Sequence, residues 1–304
     1  MAKQQMKNGS TNKAALFLGA GCLVLGIGAI GGVAYTVMAQ EETSAKVDAL
    51  TENVSALVTL QQQQGDPAEA AKAAINAHFE AERMQKRDAL LKSAPAAQDE
   101  GVPDGKHLYG NPDARFTLVE FSDYECPYCQ RFHDTPKEIV ESSGDNVNWE
   151  YLHFPLDSHN PTAMNLSVAS ECVSEELGNQ AFWAFTNEVF ETSGGNGRGV
   201  PDMEGLVESL GMSPADLSAC MSDPDMVQRV QADMEKAGQA GVTGTPSSYI
   251  VDNETGDIEV ISGAQPIENV MQKLRALVER SRSGETGQPE DAAQADTVAG
   301  DEAS

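Results

Sequence analysis

The hydrophobic pattern divides the chain into segments of different periodicity. An uncharged apolar run extends from Ala14 to Ala34, which is long enough for a helix to cross the hydrocarbon core of a membrane. Three lysines precede this run and acidic residues follow it, so the positive-inside rule predicts a cytoplasmic N-terminus and an extracytoplasmic remainder. A cleaved signal peptide is the alternative, because Val37-Met38-Ala39 has the small-x-small form of a cleavage site.

Residues 40–104 have the spacing of helices. Apolar residues recur there every three or four positions, at Val47, Leu50, Val54 and Leu57. That spacing is typical of the seam of a short coiled coil. Asp66-Pro67 then supplies an N-cap and a proline at the first helical position, so we expect a second helix to run to about Leu91. The segment is either a solvated spacer or a stalk that forms a homodimer.

From residue 105 onward, strand patterns and helix patterns alternate. Apolar runs predict strands at 116–121, 147–155, 248–251 and 258–261, of which the last two form a hairpin. Helical spacing predicts a helix from Pro127 to about Ser143, several helices over 160–235 and a final helix over about 266–280. This order predicts an α/β fold with one sheet and a helical insertion. We assign the aromatic residues of the insertion to its core, with a binding face as the alternative: Phe182, Trp183, Phe185 and Phe190.

Charge excludes one class of partner. The 304 residues include 20 Lys and Arg against 47 Asp and Glu, a formal net charge of −27. So acidic a surface is repelled by phosphate backbones, which excludes nucleic acid, and it predicts activity and stability that rise with salt. Hydrophobic residues make up 40% of the chain, enough for a packed core. Residues 281–304 are rich in Gly, Ala and acids, and we expect a disordered tail there.

The chemistry begins directly after the strand at 116–121. Cys126-Pro-Tyr-Cys129 follows that strand and opens the next helix, which is the context of a redox-active C-x-x-C pair. Backbone N–H groups at the start of a helix favour a thiolate, so we expect the pKa of Cys126 to fall. Pro127 fits the first helical position, and Tyr128 completes the motif. We expect Cys126 to be exposed and Cys129 to be shielded, since thiol–disulfide exchange requires one accessible nucleophile and one resolving thiol.

The motif and its surroundings resemble a known family. Residues 107–129, HLYGNPDARFTLVEFSDYECPYC, are similar to the opening strand and active-site turn of the DsbA/DsbG-like branch of the thioredoxin superfamily. Later segments follow the family pattern in order: 153–161 for the second strand and its exit, 171–185 for the inserted helices, and 241–246 for the cis-proline loop. The resemblance covers about residues 105–280. It implies a thioredoxin fold with a mixed central sheet and an inserted helical domain, acting on thiols and disulfides of envelope proteins.

The resemblance adds candidate site residues. It implies a cis peptide at Thr245-Pro246 facing the C-x-x-C pair, where the backbone of Thr245 pairs with an extended substrate. Without the resemblance, this proline reads as an ordinary turn residue. Glu120 matches a buried carboxylate of the family that takes and returns the proton of Cys129, and the alternative is a strand-end glutamate that faces water.

The histidines carry weaker signals. His159 matches a histidine common to the family, and a helix-cap or loop hydrogen bond is its simpler interpretation. His107 and His133 have no signal beyond surface exposure.

Two further cysteines, Cys172 and Cys220, fall in the predicted insertion, while Cys22 lies in the apolar run. In an oxidising compartment such a pair usually forms a structural disulfide, which we expect here. A second redox pair in relay with Cys126–Cys129 is one alternative. A zinc site made with Cys126 and Cys129 is another, which the wide separation of 172 and 220 disfavours. No cofactor and no metal ion are expected.

The domain organisation that we expect has five parts: a cytoplasmic basic N-terminus at 1–13, a transmembrane anchor or signal peptide at 14–39, a helical stalk or linker at 40–104, a DsbA-like thioredoxin domain at 105–280 with its insertion at about 160–235, and the acidic tail at 281–304. The protein would be held at the periplasmic face of the cytoplasmic membrane, or be soluble outside it if the segment is cleaved.

The function that we expect is disulfide donation to reduced or misoxidised exported proteins through the redox-active Cys126–Cys129 disulfide. The resemblance implies a quinone-linked, DsbB-like membrane protein as recycling partner. Pro127-Tyr128 lacks the histidine of the strongest oxidants of the family, so a disulfide isomerase or reductase of the DsbG/DsbC type, kept reduced by a membrane reductase, is an alternative. An envelope chaperone without redox activity is a more remote one.

Overall fold

The computed structural model describes residues 46–56 and 67–283. The chain divides into two compact units, residues 1–75 and 76–304. The first unit contains helix α1 (46–56) and the first turns of α2 (Pro67–Lys92). In α1, the side chains of Val47, Leu50 and Val54 are exposed. The predicted membrane segment at 14–39 lies outside the described residues, as does Leu57.

The second unit contains the remaining helices and strands. Its strands are β1 (Leu108–Tyr109), β2 (Phe116–Ser122), β3 (Val147–His153), β4 (Ser247–Asp252) and β5 (Ile258–Ser262). Its helices are α3 (Pro127–Phe132), α4 (Asp134–Ser143), α5 (Thr162–Leu177), α6 (Asn179–Thr192), α7 (Met203–Leu210), α8 (Pro214–Met221), α9 (Pro224–Gln239) and α10 (Ile267–Ser283). Within the described ranges, no helix combines the length and the apolar character that crossing a membrane requires.

The five strands form one mixed sheet in the order β1-β3-β2-β4-β5. Strands β2 and β3 are parallel, and every other neighbouring pair is antiparallel. Helices α3 and α4 connect the parallel pair, helices α5–α9 come between β3 and β4, and β4 and β5 form the predicted hairpin. The expected mixed sheet with inserted helices is therefore confirmed.

The sheet has an apolar core between one of its faces and the insertion. The four aromatic residues assigned to the core are buried there, and the rings of Trp149 on β3 and Trp183 on α6 lie 4.4 Å apart. Burial of apolar surface is the main contribution to the stability of such a core, at roughly 25 cal/mol for each Å² removed from water.

The helix that was expected from Pro127 to Ser143 is in fact two helices. It breaks at His133, between α3 and α4. Pro136 has no N–H to donate to the carbonyl group of Phe132, and its ring occupies the space beside that carbonyl group, so one helix cannot run through this point.

Other element boundaries also differ from expectation. The short strand β1 at the edge of the sheet was not predicted, because two residues carry no periodicity. Helix α10 continues to Ser283, so residues 281–283 belong to this helix and not to the tail. The rest of the predicted tail, 284–304, lies outside the described residues.

Candidate active site

The two cysteines of the motif lie where β2 gives way to α3. Cys126 is the N-cap residue of α3, with Pro127 at the first helical position. Its extended backbone conformation leaves the helix free to start at a proline, which has no N–H to satisfy. Cys129 follows within the first turn and is completely buried. Both are free thiols, so the structure shows the reduced site.

The environment of Cys126 favours its thiolate. A hydrogen bond with the thiol of Cys129 lowers the pKa of Cys126 to about 5, and the side chain of Thr245 and the backbone N–H groups of Tyr128 and Cys129 act in the same direction. Burial opposes them. At neutral pH Cys126 is therefore ionised, which is the state that a low-pKa nucleophile or leaving group requires.

The expected exposure of Cys126 is wrong, because only 4% of the residue is accessible. The segment 193–199 covers one side of the turn. Its Asn196 N–H donates to the backbone oxygen of Glu125 at 2.7 Å, and the site of a Cβ on Gly195 would lie 3.6 Å from the ring of Pro127. The sequence pattern places Cys126 at a turn, but it does not show that the distant segment 193–199 packs against this turn.

Cys129 has the opposite chemistry. Burial raises its pKa well above the ordinary value of 9, and the neighbouring Cys126 and Glu120 raise it further. Cys129 therefore keeps its proton at neutral pH in the reduced protein.

The Thr245–Pro246 peptide bond is cis and lies against the cysteine pair. The sulfur of Cys126 is 3.5 Å from the backbone oxygen of Thr245. Strand β4 begins directly after Pro246, at Ser247. The structure thus brings the start of β4 and the C-x-x-C turn together, although they are more than a hundred residues apart in sequence.

Glu120 is buried in the middle of β2, beside Tyr151 of β3 and Ser248 of β4. Burial raises the pKa of Glu120 to about 8, although Ser122 and Trp149 offset part of this effect. Glu120 is therefore mostly protonated at neutral pH and can donate a proton. The alternative of a glutamate facing water is wrong for this residue.

Tyr128 is the exposed residue of the motif. It is 58% accessible, and the guanidinium group of Arg131 lies 4.5 Å from the centre of its ring. A cation over an exposed aromatic face contributes about 0.5–1 kcal/mol and holds the ring in place. Tyr128 thus presents an aromatic surface beside Cys126.

Two buried carboxylates that we did not single out from the sequence shape the turn. Asp123 accepts hydrogen bonds from the backbone N–H of Glu125 at 2.7 Å and from Nδ1 of His159 at 2.6 Å. Glu125 accepts from the hydroxyl of Ser193 at 2.6 Å and from the N–H of Gly199 at 3.0 Å. Asp123 therefore shapes the turn and Glu125 ties the 193–199 segment to it. The sequence signal that could have identified them is their position, because Asp123 and Glu125 lie two residues apart directly before the motif. His159 thus joins its own segment to the turn before the motif across a sequence separation of 36.

Cys172 and Cys220 are joined by a disulfide bond that links α5 to α8 across a sequence separation of 48. Both are remote in sequence from the motif, and within the described residues Cys126 and Cys129 are the free cysteines.

A buried cluster of two histidines and a glutamate was missed. Nε2 of His107 and Nε2 of His153 lie 2.7 Å and 3.0 Å from the same carboxylate oxygen of Glu171, and we call these residues the His–Glu–His cluster. Surface exposure, which we expected for His107 and also for His133, is wrong for both. These residue types can hold a metal ion, and in residues 46–56 and 67–283 this is the group of three that could do so. Its distances, however, are those of direct N–H···O hydrogen bonds.

A mixed sheet with an inserted helical region, a low-pKa cysteine at a helix N-terminus, a buried second cysteine and a facing cis-proline together form a site suited to thiol–disulfide exchange. Residues 103–265 match the family model described as thioredoxin, so the chain belongs to the thioredoxin family. The expected resemblance to the DsbA-like branch is also confirmed by solved structures.

Pseudomonas aeruginosa DsbA2 is 31% identical to this chain, with a TM-score of 0.53 over 59% of this chain and 98% of that one. Wolbachia pipientis alpha-DsbA1, at 18% identity and a TM-score of 0.50, covers 60% of this chain and 95% of its own and shares the fold.

The curated proteins that match this chain are of a different class, sodium/proton antiporters. The Na(+)/H(+) antiporter NhaA 1 of Mycolicibacterium gilvum is 29% identical over 150 residues, which are 49% of this chain and 24% of the antiporter. The chain therefore spans about a quarter of the length of this relative, and the name of the antiporter transfers no activity to it.

Proposed function

We propose that this protein is an extracytoplasmic thiol:disulfide oxidase that donates the Cys126–Cys129 disulfide to exported proteins. The supporting observation is the asymmetry of the pair: the pKa of Cys126 is lowered to about 5, while that of Cys129 is raised. Stabilising the Cys126 thiolate stabilises the reduced form, which makes the disulfide a stronger oxidant.

The reaction proceeds in two exchanges. A substrate thiolate attacks Cys126, a mixed disulfide forms there, and the sulfur of Cys129 leaves with the electron pair of the broken bond. A second substrate thiolate then attacks the substrate sulfur of the mixed disulfide and releases Cys126 as a thiolate. The substrate gains one disulfide and the enzyme becomes a dithiol. The Thr245 backbone holds the substrate strand during both steps.

Reoxidation requires a disulfide on a quinone-linked membrane partner of the DsbB type. The apolar segment at 14–39 would hold the protein near that partner as an anchor, and a homodimer could form through the exposed seam of α1. These parts of the proposal rest on the sequence and on the family.

The test uses the full chain and a reduced, unfolded test protein that has several native disulfides. The oxidised wild type should convert its thiols to disulfides, and Cys126→Ser should abolish the reaction. A Cys172→Ser/Cys220→Ser double variant is the control: it should keep the activity if that disulfide is structural and lose it if the two pairs act in relay. Thiol oxidation that persists in Cys126→Ser would sink the proposal.

The direction of the reaction is tested by the reduction potential of the Cys126–Cys129 pair, measured by equilibration with glutathione. We expect a value nearer that of DsbA, about −120 mV, than that of thioredoxin, about −270 mV. A value near thioredoxin would show that the protein works as a reductase or isomerase.

A further inference from the structure

Two exposed arginines lie beside the C-x-x-C turn: Arg131 on α3 and Arg198 in the segment 193–199. In the part of the chain that the structure describes, their guanidinium groups contact a tyrosine ring and backbone carbonyl groups and form no ion pair with a carboxylate. Four other arginines do pair with carboxylates: Arg83, Arg115, Arg229 and Arg280. The two positive charges beside the turn are therefore uncompensated, in a chain whose net charge is −27.

The guanidinium group of Arg131 is held at the start of α3. Helical side chains lean towards the N-terminus of their helix, and residues three apart meet on one face. Arg131 follows Tyr128 by three positions, and its guanidinium carbon lies 4.5 Å from the centre of the tyrosine ring. Tyr128 is 58% accessible and is two residues from Cys126. The positive charge of Arg131 therefore lies over a residue of the first helical turn, next to the reacting cysteine.

Arg198 is held by the carbonyl groups of its own segment. Its Nε donates to the backbone oxygen of Gly195 at 3.0 Å, and its Nη2 donates to that of Gly194. Gly195 is buried, and the site of a Cβ on it would lie 3.6 Å from the ring of Pro127, the residue after Cys126. The guanidinium group of Arg198 is thus bonded to a residue that packs directly against the turn.

Glu125 ties this segment to the turn. Its two carboxylate oxygens accept from the hydroxyl group of Ser193 at 2.6 Å and from the N–H of Gly199 at 3.0 Å, so they bond both ends of the segment. Its backbone oxygen accepts from the N–H of Asn196, in the middle of the segment, at 2.7 Å. Because Glu125 directly precedes the reacting cysteine, these three hydrogen bonds also set where Arg198 lies relative to that cysteine.

The two acids that precede Cys126 are bonded inside the protein. Asp123 and Glu125 are completely buried. The carboxylate of Asp123 accepts from backbone N–H groups and from Nδ1 of His159, and that of Glu125 accepts from the segment 193–199. A substrate that approaches Cys126 therefore meets the two guanidinium groups and not these carboxylates.

We propose that Arg131 and Arg198 form a cationic rim beside Cys126 that favours substrate cysteines with acidic neighbours. The inference rests on the proposed function and names its substrate class: reduced, extended segments in which Asp or Glu lies within about two residues, or roughly 7 Å, of the cysteine. The rim acts on the approach of the segment, whereas the exchange of disulfide bonds at Cys126 is unchanged.

Charge complementarity supports this substrate class. The net charge of −27 repels an acidic segment, but salt screens charges that are farther apart than a Debye length of about 10 Å at 0.1 M. At shorter range the nearest fixed charges decide the interaction, and here these are the two guanidinium groups. An arginine has five N–H donors and keeps its proton, so Arg198 retains donors for a carboxylate after it has bonded Gly194 and Gly195.

The experiment compares three peptides that share one extended, otherwise uncharged sequence with a single cysteine. The residues on both sides of the cysteine are Glu, Gln or Lys. Each peptide is mixed with the full chain, whose Cys126–Cys129 pair is oxidised, and acid quenching with mass spectrometry gives the second-order rate constant for opening the disulfide. Neighbouring charges also change the pKa of the peptide thiol, so each rate constant is divided by that for the neutral disulfide of 2-mercaptoethanol.

We expect the normalised rate constant of the Glu peptide to exceed that of the Lys peptide by about tenfold, with the Gln peptide between them. Arg131→Gln and Arg198→Gln should each lower this ratio about threefold, which is the size of effect that an exposed ion pair gives. Arg131→Lys and Arg198→Lys keep the charge and should keep most of the ratio, which separates the effect of charge from that of packing.

Arg282→Gln is the matched control, because it removes one positive charge from an exposed site near the far end of β4. Arg282 follows Ser281, whose hydroxyl group donates to Asp252, the last residue of β4. The first residue of this strand, Ser247, adjoins Pro246 and is roughly 16 Å away at 3.3 Å per residue. This variant should therefore leave the ratio unchanged.

Equal normalised rate constants for the Glu and Lys peptides would overturn the cationic rim, and so would a ratio that Arg282→Gln lowers as much as the two rim variants do. Either result leaves the proposed function intact, because the peptides are still oxidised. A chain that oxidises none of the peptides and also fails with the reduced test protein lacks the function itself.

Discussion

At the scale of the residue, the two cysteines of one motif have opposite acid–base properties. Cys126 is at the start of α3, where a thiol and backbone N–H groups point at its sulfur, and Cys129 is one turn further into the core. Both are buried, so exposure does not distinguish them. Hydrogen bonds to the ionised form decide the difference, because they outweigh the cost of burial for Cys126 but not for Cys129.

This asymmetry predicts how stability depends on pH. The unfolded pKa of Cys126 is near 9 and its folded pKa about 5, so between these values the unfolded reduced chain binds more protons and the stability of the reduced form rises with pH. The oxidised form lacks this contribution. The melting temperature of the reduced form minus that of the oxidised form should therefore be larger at pH 7 than at pH 4. A difference that stays constant between these two pH values would contradict the lowered pKa.

Glu120 predicts a stabilising substitution. Its pKa is raised from 4.5 to about 8, so the folded state loses stability as the pH rises from 4.5 towards 8. At about 1.4 kcal/mol per pH unit, roughly 3 kcal/mol is lost by pH 7. Glu120→Gln removes the titrating group and should raise the free energy of unfolding at pH 7 by up to this amount, as measured by urea denaturation. The gain should vanish at pH 4, where the carboxyl group is neutral in both states, and an equal gain at both pH values would contradict this origin.

At the scale of the element, the insertion depends on one covalent link. The disulfide Cys172–Cys220 joins α5 to α8, and α5 also carries Glu171 and Ser170 into the core. By constraining the unfolded chain, the disulfide places a long helical insertion on the sheet at a smaller cost in entropy.

The Cys172→Ser/Cys220→Ser variant should lose stability. A closed loop of this length is worth about 4 kcal/mol in the chain-entropy account. The loss should appear as a lower denaturation midpoint with an unchanged reduction potential for Cys126–Cys129. A shifted potential would show instead that the two pairs communicate.

At the scale of the whole molecule, the net charge of −27 acts on the entire surface. Like charges repel in the folded state, and salt screens the repulsion over a Debye length of about 10 Å at 0.1 M and 3 Å at 1 M. The melting temperature and the oxidation rate should therefore rise between low salt and 1 M NaCl. Potassium chloride should act equally if screening is the cause. A melting temperature that does not change with salt would count against this interpretation.

Much of the fold could be predicted from the sequence, because it depends on local periodicity. Strands β2, β3, β4 and β5 follow from short apolar runs, and the start of α3 follows from a cysteine and a proline at its first positions. The C-x-x-C chemistry was predictable for the same reason: strand, turn and helix are contiguous in the chain. The exceptions are β1, which is too short for a pattern, and the break at His133, where Pro136 was the overlooked signal.

Contacts between distant segments could be decided only by the tertiary structure. Segment 193–199 contacts Glu125 and Pro127, on either side of Cys126, and the backbone oxygen of Thr245 lies beside the Cys126 sulfur. His107, His153 and Glu171 likewise meet from separate parts of the chain. Burial and pKa follow from these contacts, because desolvation depends on everything that surrounds a group and not on its neighbours in sequence. The sequence therefore determined which residues carry the chemistry, and the packing of the sheet against its insertion decided their charge states.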